Sequence, residues 1–266
     1  MRKIMPLALI ALAGCGSDNG PPKVQSVEVV RVLPHDSQAF TEGLFFKDGM
    51  LFESTGEEGT SGFRKVTPET GEIAARTQLG SEYFGEGIIG WKDRIYQLTW
   101  KNQKGFIYNA KDFTPIGEFA YQGEGWGLTH NDRSVIMSDG TATLRFLDPD
   151  TMAQQSTLAV TANGCPVKEL NELEWIDGEI WANIWRTDLI ARIDPASGKV
   201  KSFVDVAALG PPMPSEDEVP NGIAYDAGTK RIFVTGKMWP QLYQVKVSDA
   251  PGAGASVDAA AALMRC

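Results

Sequence analysis

The chain predicts an all-β fold, a five-bladed β-propeller in which the N-terminal strand completes the last blade. Five segments share one grammar. They start at Gly43, Gly87, Gly127, Glu172 and Gly222, with spacings of 44, 40, 45 and 50 residues, and this is the period of propeller blades. Each start opens an apolar strand, a turn and a second apolar strand, as in GLFFKDGMLFESTG and GIIGWKDRIYQLTW. A lone β-branched run (VQSVEVVRVL, 24–33) precedes the first repeat, and the fifth repeat has room for only about three strands. Pairing the lone strand with the short repeat closes the ring and removes two exposed sheet edges.

The turns support the hairpins one by one. Asp48-Gly49, Lys92-Asp93, Asn131-Asp132, Asp177-Gly178 and Asp226-Ala227-Gly228 fall between paired apolar runs, where hairpin chemistry belongs. The second strands end in register on Gly56, Trp100, Gly140, Trp185 and Lys237. Third strands run into similar turns at Val66, Tyr108, Leu147 and Ile193, which gives three or four short strands per repeat. A single domain of 266 residues suits such an architecture.

The two ends of the chain read differently. Arg2 and Lys3, the apolar run 4–13 and the Leu12-Ala13-Gly14-Cys15 box have the form of a lipoprotein signal peptide. Ten apolar residues are too few to span a bilayer. The expected divisions are a signal peptide over 1–14, a tether over 15–23 beginning at a lipidated Cys15, a propeller over 24–248 and a low-complexity tail over 249–266. An ordinary signal peptide with a chance cysteine is the plainer alternative. Export to a bacterial membrane, facing the periplasm and held only by a lipid anchor, follows from the lipoprotein reading. Cys165 and Cys266 can pair in such an oxidising compartment or remain free. The formal charge of −9, about −11 without Arg2 and Lys3, argues against nucleic acid and against adhesion to anionic lipid.

The repeat register also collects chemistry. The residues before the five starts are Glu42, Glu86, Trp126, Asn171 and Asn221, and the second strands end on Trp100, Trp185 and Lys237. On a closed ring these groups share one end of the axis, forming a cup with a polar floor and aromatic walls. Assorted polar groups around a watery channel explain an isolated Glu or Asn, and Asn221 is assigned to that lining. They do not explain three indoles in one zone. Trp91, Trp175 and Trp181 are read as packing between blades. His35 is expected to make a structural hydrogen bond and His130 to be a solvated turn residue. The two histidines lack zinc-ligand spacing, and no nucleophile elbow, P-loop or dinucleotide fingerprint occurs. The Pro-rich acidic segment 207–221 is the expected rim of the cup.

Longer motifs then become legible. HDSQAFTEGL (35–44), YFGEGI (83–88), QLTWK (97–101), GWGLTHN (125–131), LNELEW (170–175), ANIWRTDLIARIDP (182–195) and VTGKMWP (234–240) resemble the plant-type glutaminyl-peptide cyclotransferase family and its bacterial members. The resemblance runs from about residue 29 to 247 and touches every repeat. It implies a five-bladed propeller that converts N-terminal glutamine of peptides or proteins to pyroglutamate with release of ammonia. It also implies that no cofactor is needed for catalysis, leaves a structural cation in the central channel open, and fits a monomer.

Carried over by motif, Glu86 is the acid/base group, Asn171 and Lys237 stabilise charge, and Phe40, Phe84, Trp100, Trp126 and Trp185 line the pocket. Glu42 stands where the family commonly has Gln, which changes the charge beside Glu86. Two other function classes fit parts of the pattern. A metal-dependent propeller lactonase or hydrolase would use Glu42, Glu86, Asn171 and Asn221 as cation ligands, but an ammonium at Lys237 opposes that. A non-catalytic peptide-binding lipoprotein would use the indoles alone.

Overall fold

The computed structural model describes residues 20–211 and 217–266. The expected signal peptide with Cys15, most of the expected tether and positions 212–216 of the expected rim lie outside the described residues. A long first strand, β1 (Lys23–Pro34), precedes an antiparallel meander of β2 (Thr41–Lys47), β3 (Met50–Thr55), β4 (Gly62–Val66) and β5 (Ile73–Gln78). A second meander follows, β6 (Gly85–Trp91), β7 (Arg94–Thr99), β8 (Lys104–Asn109) and β9 (Pro115–Ala120). The third is β10 (Leu128–His130), β11 (Val135–Met137), β12 (Thr143–Leu147) and β13 (Gln154–Ala159), trailed by a small ribbon of β14 (Thr161–Ala162) and β15 (Cys165–Pro166). After these come β16 (Leu170–Ile176), β17 (Glu179–Ile184), β18 (Leu189–Ile193), β19 (Val200–Asp205), β20 (Pro220–Asp226), β21 (Arg231–Gly236) and β22 (Gln241–Pro251). With β1 they form one sheet of order β16-β17-β18-β19-β1-β22-β21-β20. The chain is nearly all-β and propeller-like.

β1 lies antiparallel to β22, from Gln25 opposite Pro251 to Pro34 opposite Gln241. Its first residues also pair in parallel with β19, from Lys23 opposite Ser202 to Gln25 opposite Val204. The repeats do not predict this second pairing, which welds the last two meanders into one sheet. The first strands β2, β6, β10, β16 and β20 touch in a closed cycle, β20 returning to β2. Apolar clusters fill each seam between consecutive sheets. Phe45, Phe52, Ile88 and Ile95 fill the first, and Leu33, Leu44, Ala224 and Phe233 join the end of the chain to its beginning.

Local chemistry explains the hairpins. Asp48 and Gly49 both have positive φ, 52° and 81°, as do Asp177 and Gly178, 47° and 88°, the conformation of a type I′ turn. Across the first of these turns Phe45 faces Phe52 and the rings stack at 4.7 Å, a stabilising cross-strand pair. Glycine opens the repeats because the first strands approach one another closely at the axis. A Cβ on Gly43 would stand 2.7 Å from the Ile88 nitrogen, and one on Gly87 2.6 Å from the Leu128 nitrogen.

Part of the low-complexity tail is ordered. Residues 255–263 form a helix, α1 (Ala255–Leu263), whose Ala260 is buried in the cluster around Leu170, Ile180 and Leu189. Alanine repetition lowers sequence complexity but favours helix, and Ser256 Oγ donates to Asp205 at 2.6 Å. The chain ends in a disulfide between Cys266 and Cys165, with Cα atoms 5.5 Å apart. His130 departs from expectation. It closes β10, packs edge-on against Trp91 at 5.1 Å, and burial pushes its pKa down. His35 does bond structurally, through Nδ1 to the Trp239 carbonyl oxygen and Nε2 to Glu53.

Candidate active site

Glu42, Glu86, Asn171 and Asn221 are each the second residue of a first strand, β2, β6, β16 and β20 respectively. Each also sits in an interrupted stretch of the ladder. Register shifts fall between Thr41 and Gly43, Gly85 and Ile88, Leu170 and Leu173, and Pro220 and Ile223. Bulges re-aim side chains away from the regular pleat, and repeating one at each strand start gathers these groups at the axis. Trp126 comes two residues before β10, because the third sheet begins later than the others.

At the second-strand ends, one backbone hydrogen bond recurs. The N–H groups of Gly56, Trp100, Trp185 and Lys237 donate to the carbonyl oxygens of Phe40, Phe84, Glu169 and Val219. These bonds seat Trp100, Trp185 and Lys237 at the same level. Gly56 and Gly140 occupy the equivalent places in the other two repeats. A Cβ at Gly56 would strike the ring of Phe84, and one at Gly140 would lie 2.6 Å from Trp126. The register therefore alternates between a residue that supplies a pocket group and a glycine that makes room for one.

The aromatic wall runs as a chain. Phe40 meets Phe84 edge-on at 6.0 Å, Phe84 leans on Trp100 at 5.7 Å, and Trp126 meets Trp185 edge-on at 5.5 Å. Glu124 links the middle, accepting the Nε1–H of Trp100 at 2.7 Å and of Trp126 at 2.9 Å on the same oxygen, Oε2. Sequence reasoning missed this residue. It lies on a loop outside the repeat register, so no periodic signal marks it.

The polar floor is fully enclosed. Lys237 Nζ donates to Glu42 Oε1 at 2.6 Å and lies 4.5 Å from the ring centre of Phe40. Asn221 Nδ2 donates to Glu42 Oε2 at 3.1 Å, so Asn221 is a direct partner of Glu42 rather than an isolated polar group. Glu86 shares a hydrogen bond with Glu42. Burial is the largest influence on both carboxyls and pushes both upward. Lys237 restrains Glu42, whereas the Glu42 charge pushes Glu86 further, well above the ordinary carboxylate range. Lys237 beside Glu42 favours the charged form of Glu42, and that charge in turn favours the protonated form of Glu86. Asn171 is buried nearby in the register, and its Oδ1 has no hydrogen-bond partner among the described residues.

One further buried carboxylate closes the axis. Glu172 stands where the other repeats have glycine, and its oxygens accept the N–H of Leu44 at 3.2 Å and of Ile223 at 2.8 Å. It ties β2 and β20 to β16 and acts as architecture. The sequence presented it only as an exception to the glycine rule.

A buried acid with its pKa pushed upward, an ammonium beside it, an amide oxygen without a partner and a wall of indoles can fold a short polar chain back on itself. They can also exchange a proton with it. Comparisons with known proteins agree. The model of the glutamine cyclotransferase family matches residues 5–247. A glutaminyl-peptide cyclotransferase of Arabidopsis thaliana is 39% identical over 234 residues, spanning 86% of this chain and 73% of the plant protein. The crystal structure of the glutaminyl cyclase of Myxococcus xanthus superposes with a TM-score of 0.80 at 36% identity, over 86% of this chain and all of that one.

Proposed function

The chain belongs to the glutamine cyclotransferase family and converts N-terminal glutamine to pyroglutamate, and we propose that it does so through the Glu86–Glu42–Lys237 cluster. The observation that carries this reading is the buried Glu42–Lys237 ion pair with the buried carboxyl of Glu86 beside it, whose pKa burial and the Glu42 charge push upward. The α-amine of the substrate is the nucleophile and its γ-carboxamide carbon the electrophile. A free α-amine titrates near 7.7–8.0, so a fraction is neutral at pH 7. The enzyme then needs to bend the chain, stabilise the oxyanion and protonate the leaving nitrogen.

The indole wall holds the bent conformer and excludes water, conditions under which intramolecular attack is fast. Asn171 Oδ1 accepts the carboxamide N–H. Attack forms the ring C–N bond and places negative charge on the former carbonyl oxygen, opposite Lys237 Nζ, which stabilises it. Glu86 gives its proton to the carboxamide nitrogen, the C–NH2 bond breaks, and ammonia leaves. The resulting carboxylate takes the extra proton from the ring nitrogen, which restores Glu86 and gives the lactam. No cofactor enters this scheme. A lactonase-type cation at the same oxygens would have to displace Lys237 from Glu42.

Glu86→Gln tests the assignment. Ammonia release from a Gln-initiated dipeptide should fall by roughly a hundredfold or more, with the fold retained by circular dichroism. Near wild-type turnover would remove Glu86 from the mechanism. Addition of a chelator should leave the rate unchanged, and a chelator-sensitive rate would favour the cation reading.

The five meanders, with β1 completing the last, form the blades of a five-bladed propeller in this reading, supported by the cyclic contacts of their first strands. Residues 24–248 are its body, and the protein acts as a monomer on peptides or proteins. Export with lipid attachment at Cys15 rests on the Leu-Ala-Gly-Cys box. Cys15→Ser should move the protein from the membrane to the soluble fraction.

A further inference from the structure

The carboxylate of Glu124 is only half used by the protein. Both indole N–H groups land on Oε2, and Oε1 has no hydrogen-bond partner among the described residues. Glu124 is bonded to two indoles of the pocket wall, Trp100 and Trp126, so it borders the cup. The faces around it already receive cations. Lys101 Nζ sits 3.5 Å from the Trp100 ring centre and the Arg186 guanidinium 4.3 Å from that of Trp185. Indole faces with a carboxylate among them are the chemistry that binds an ammonium, through cation–π attraction and a charge-assisted hydrogen bond.

Every substrate of this reaction brings such a group. At pH 7 most peptide α-amines are protonated, so the N-terminus arrives as an ammonium and must give its proton to solvent before the neutral amine attacks. The other pocket carboxylates are occupied. Glu42 spends Oε1 on Lys237 and Oε2 on Asn221, and Glu86 is bonded to Glu42. We propose that Glu124, with the flanking indoles of Trp100 and Trp126, is the subsite that captures the protonated N-terminus of the incoming peptide and enforces a free α-amine. The assignment rests on the cyclisation reading above, and places the amine on the loop side of the cup with the carboxamide directed to Lys237 and Glu86.

Glu124→Gln separates charge from architecture, because an amide oxygen can still accept both indole N–H groups. The KM for a Gln-initiated dipeptide should rise about tenfold, with kcat falling by a smaller factor and indole fluorescence unchanged. A dipeptide with N-terminal norleucine, which has the ammonium but no reacting carboxamide, should inhibit the wild type and lose about the same factor against the variant. Its N-acetylated form should bind both weakly and equally. Unchanged KM and unchanged inhibition would overturn the proposal, as would a loss of kcat alone, which would mean that Glu124 acts only on Glu86. A fluorescence shift matching that of Glu124→Leu, in which both indole bonds are lost, would reduce the residue to a wall support and also overturn it. Inhibition needs no turnover, so this outcome is independent of whether Glu86 carries the chemistry.

Discussion

Glu53 and Glu86 lie in adjacent sheets and are 2% and 5% exposed, yet their carboxyls sit at opposite ends of the carboxylate range. Burial raises both. At Glu53 it is overcome by a full set of partners, His35 Nε2 at 2.8 Å, Thr41 Oγ1 at 2.6 Å and Arg64 Nε at 2.8 Å, and the pKa falls to about 2. At Glu86 burial and the charge of Glu42 together outweigh the restraint from Lys237, and the pKa climbs well above normal. A carboxylate surrounded by donors is a fixed anion that holds structure, whereas one deprived of them keeps a proton it can exchange. The Glu53 cluster also braces the site: Thr41 precedes Glu42, and His35 bonds the backbone of Trp239, two residues from Lys237.

Substitutions should separate the two roles. The largest expected effect is on stability. Glu53→Gln leaves His35 and Arg64 without a buried counter-charge and should lower the unfolding free energy by about 3–5 kcal/mol, measured by denaturant titration. Glu86→Gln should do the reverse, keeping the melting temperature while abolishing most turnover. If Glu53→Gln proves as stable as wild type, the contrast between a structural and a chemical carboxylate fails.

A smaller effect is expected at Glu42. Its charge is the second-largest upward influence on Glu86, after burial, so Glu42→Gln lowers the Glu86 pKa. In the proposed scheme Glu86 begins the cycle protonated, so the alkaline limb of the kcat/KM profile should move to lower pH, and an upward shift would contradict that resting state.

The same contrast sets the pH dependence of stability, with opposite signs. Glu53 has a depressed folded pKa, so its contribution is complete above the ordinary 4.5 and is lost as pH falls toward about 2. His35 is raised above 6.5, so its contribution is complete below that value and is lost as pH rises through the folded pKa. Glu174 behaves oppositely to Glu53. Burial raises its pKa to about 8 despite an N–H from Tyr225, so stability declines between about 4.5 and about 8, where unfolding releases a proton that the folded protein keeps. Glu174→Gln should flatten that decline in thermal melts, the smallest of these effects, and an unaltered slope would reassign the titration.

Much of this was legible because a closed repeat converts sequence period into spatial coincidence. Gly43, Gly87, Gly127, Glu172 and Gly222 mark the repeat starts, and counting back one residue from each places Glu42, Glu86 and Asn171 in one register. Lys237 and the indoles Trp100 and Trp185 followed from a second register in the same repeats. Glu124 was invisible to that count. It comes from a loop, and its importance lies in two indole bonds that no spacing encodes. The bond from Asn221 to Glu42 was hidden for a related reason, since the two lie 179 residues apart. His130 and α1 show that composition near a turn or a terminus says little about burial, which depends on what another part of the chain brings against it.

The amino-acid order by itself determined the strand repeat, the turn chemistry and the identity of the groups at the axis, because these depend on local conformational preference and on period. Only the tertiary structure decided which partners those groups meet. Pairing and the direction of each carboxyl's pKa are set by which charges and donors come within a few ångströms once water is excluded, and folding alone settles that distance.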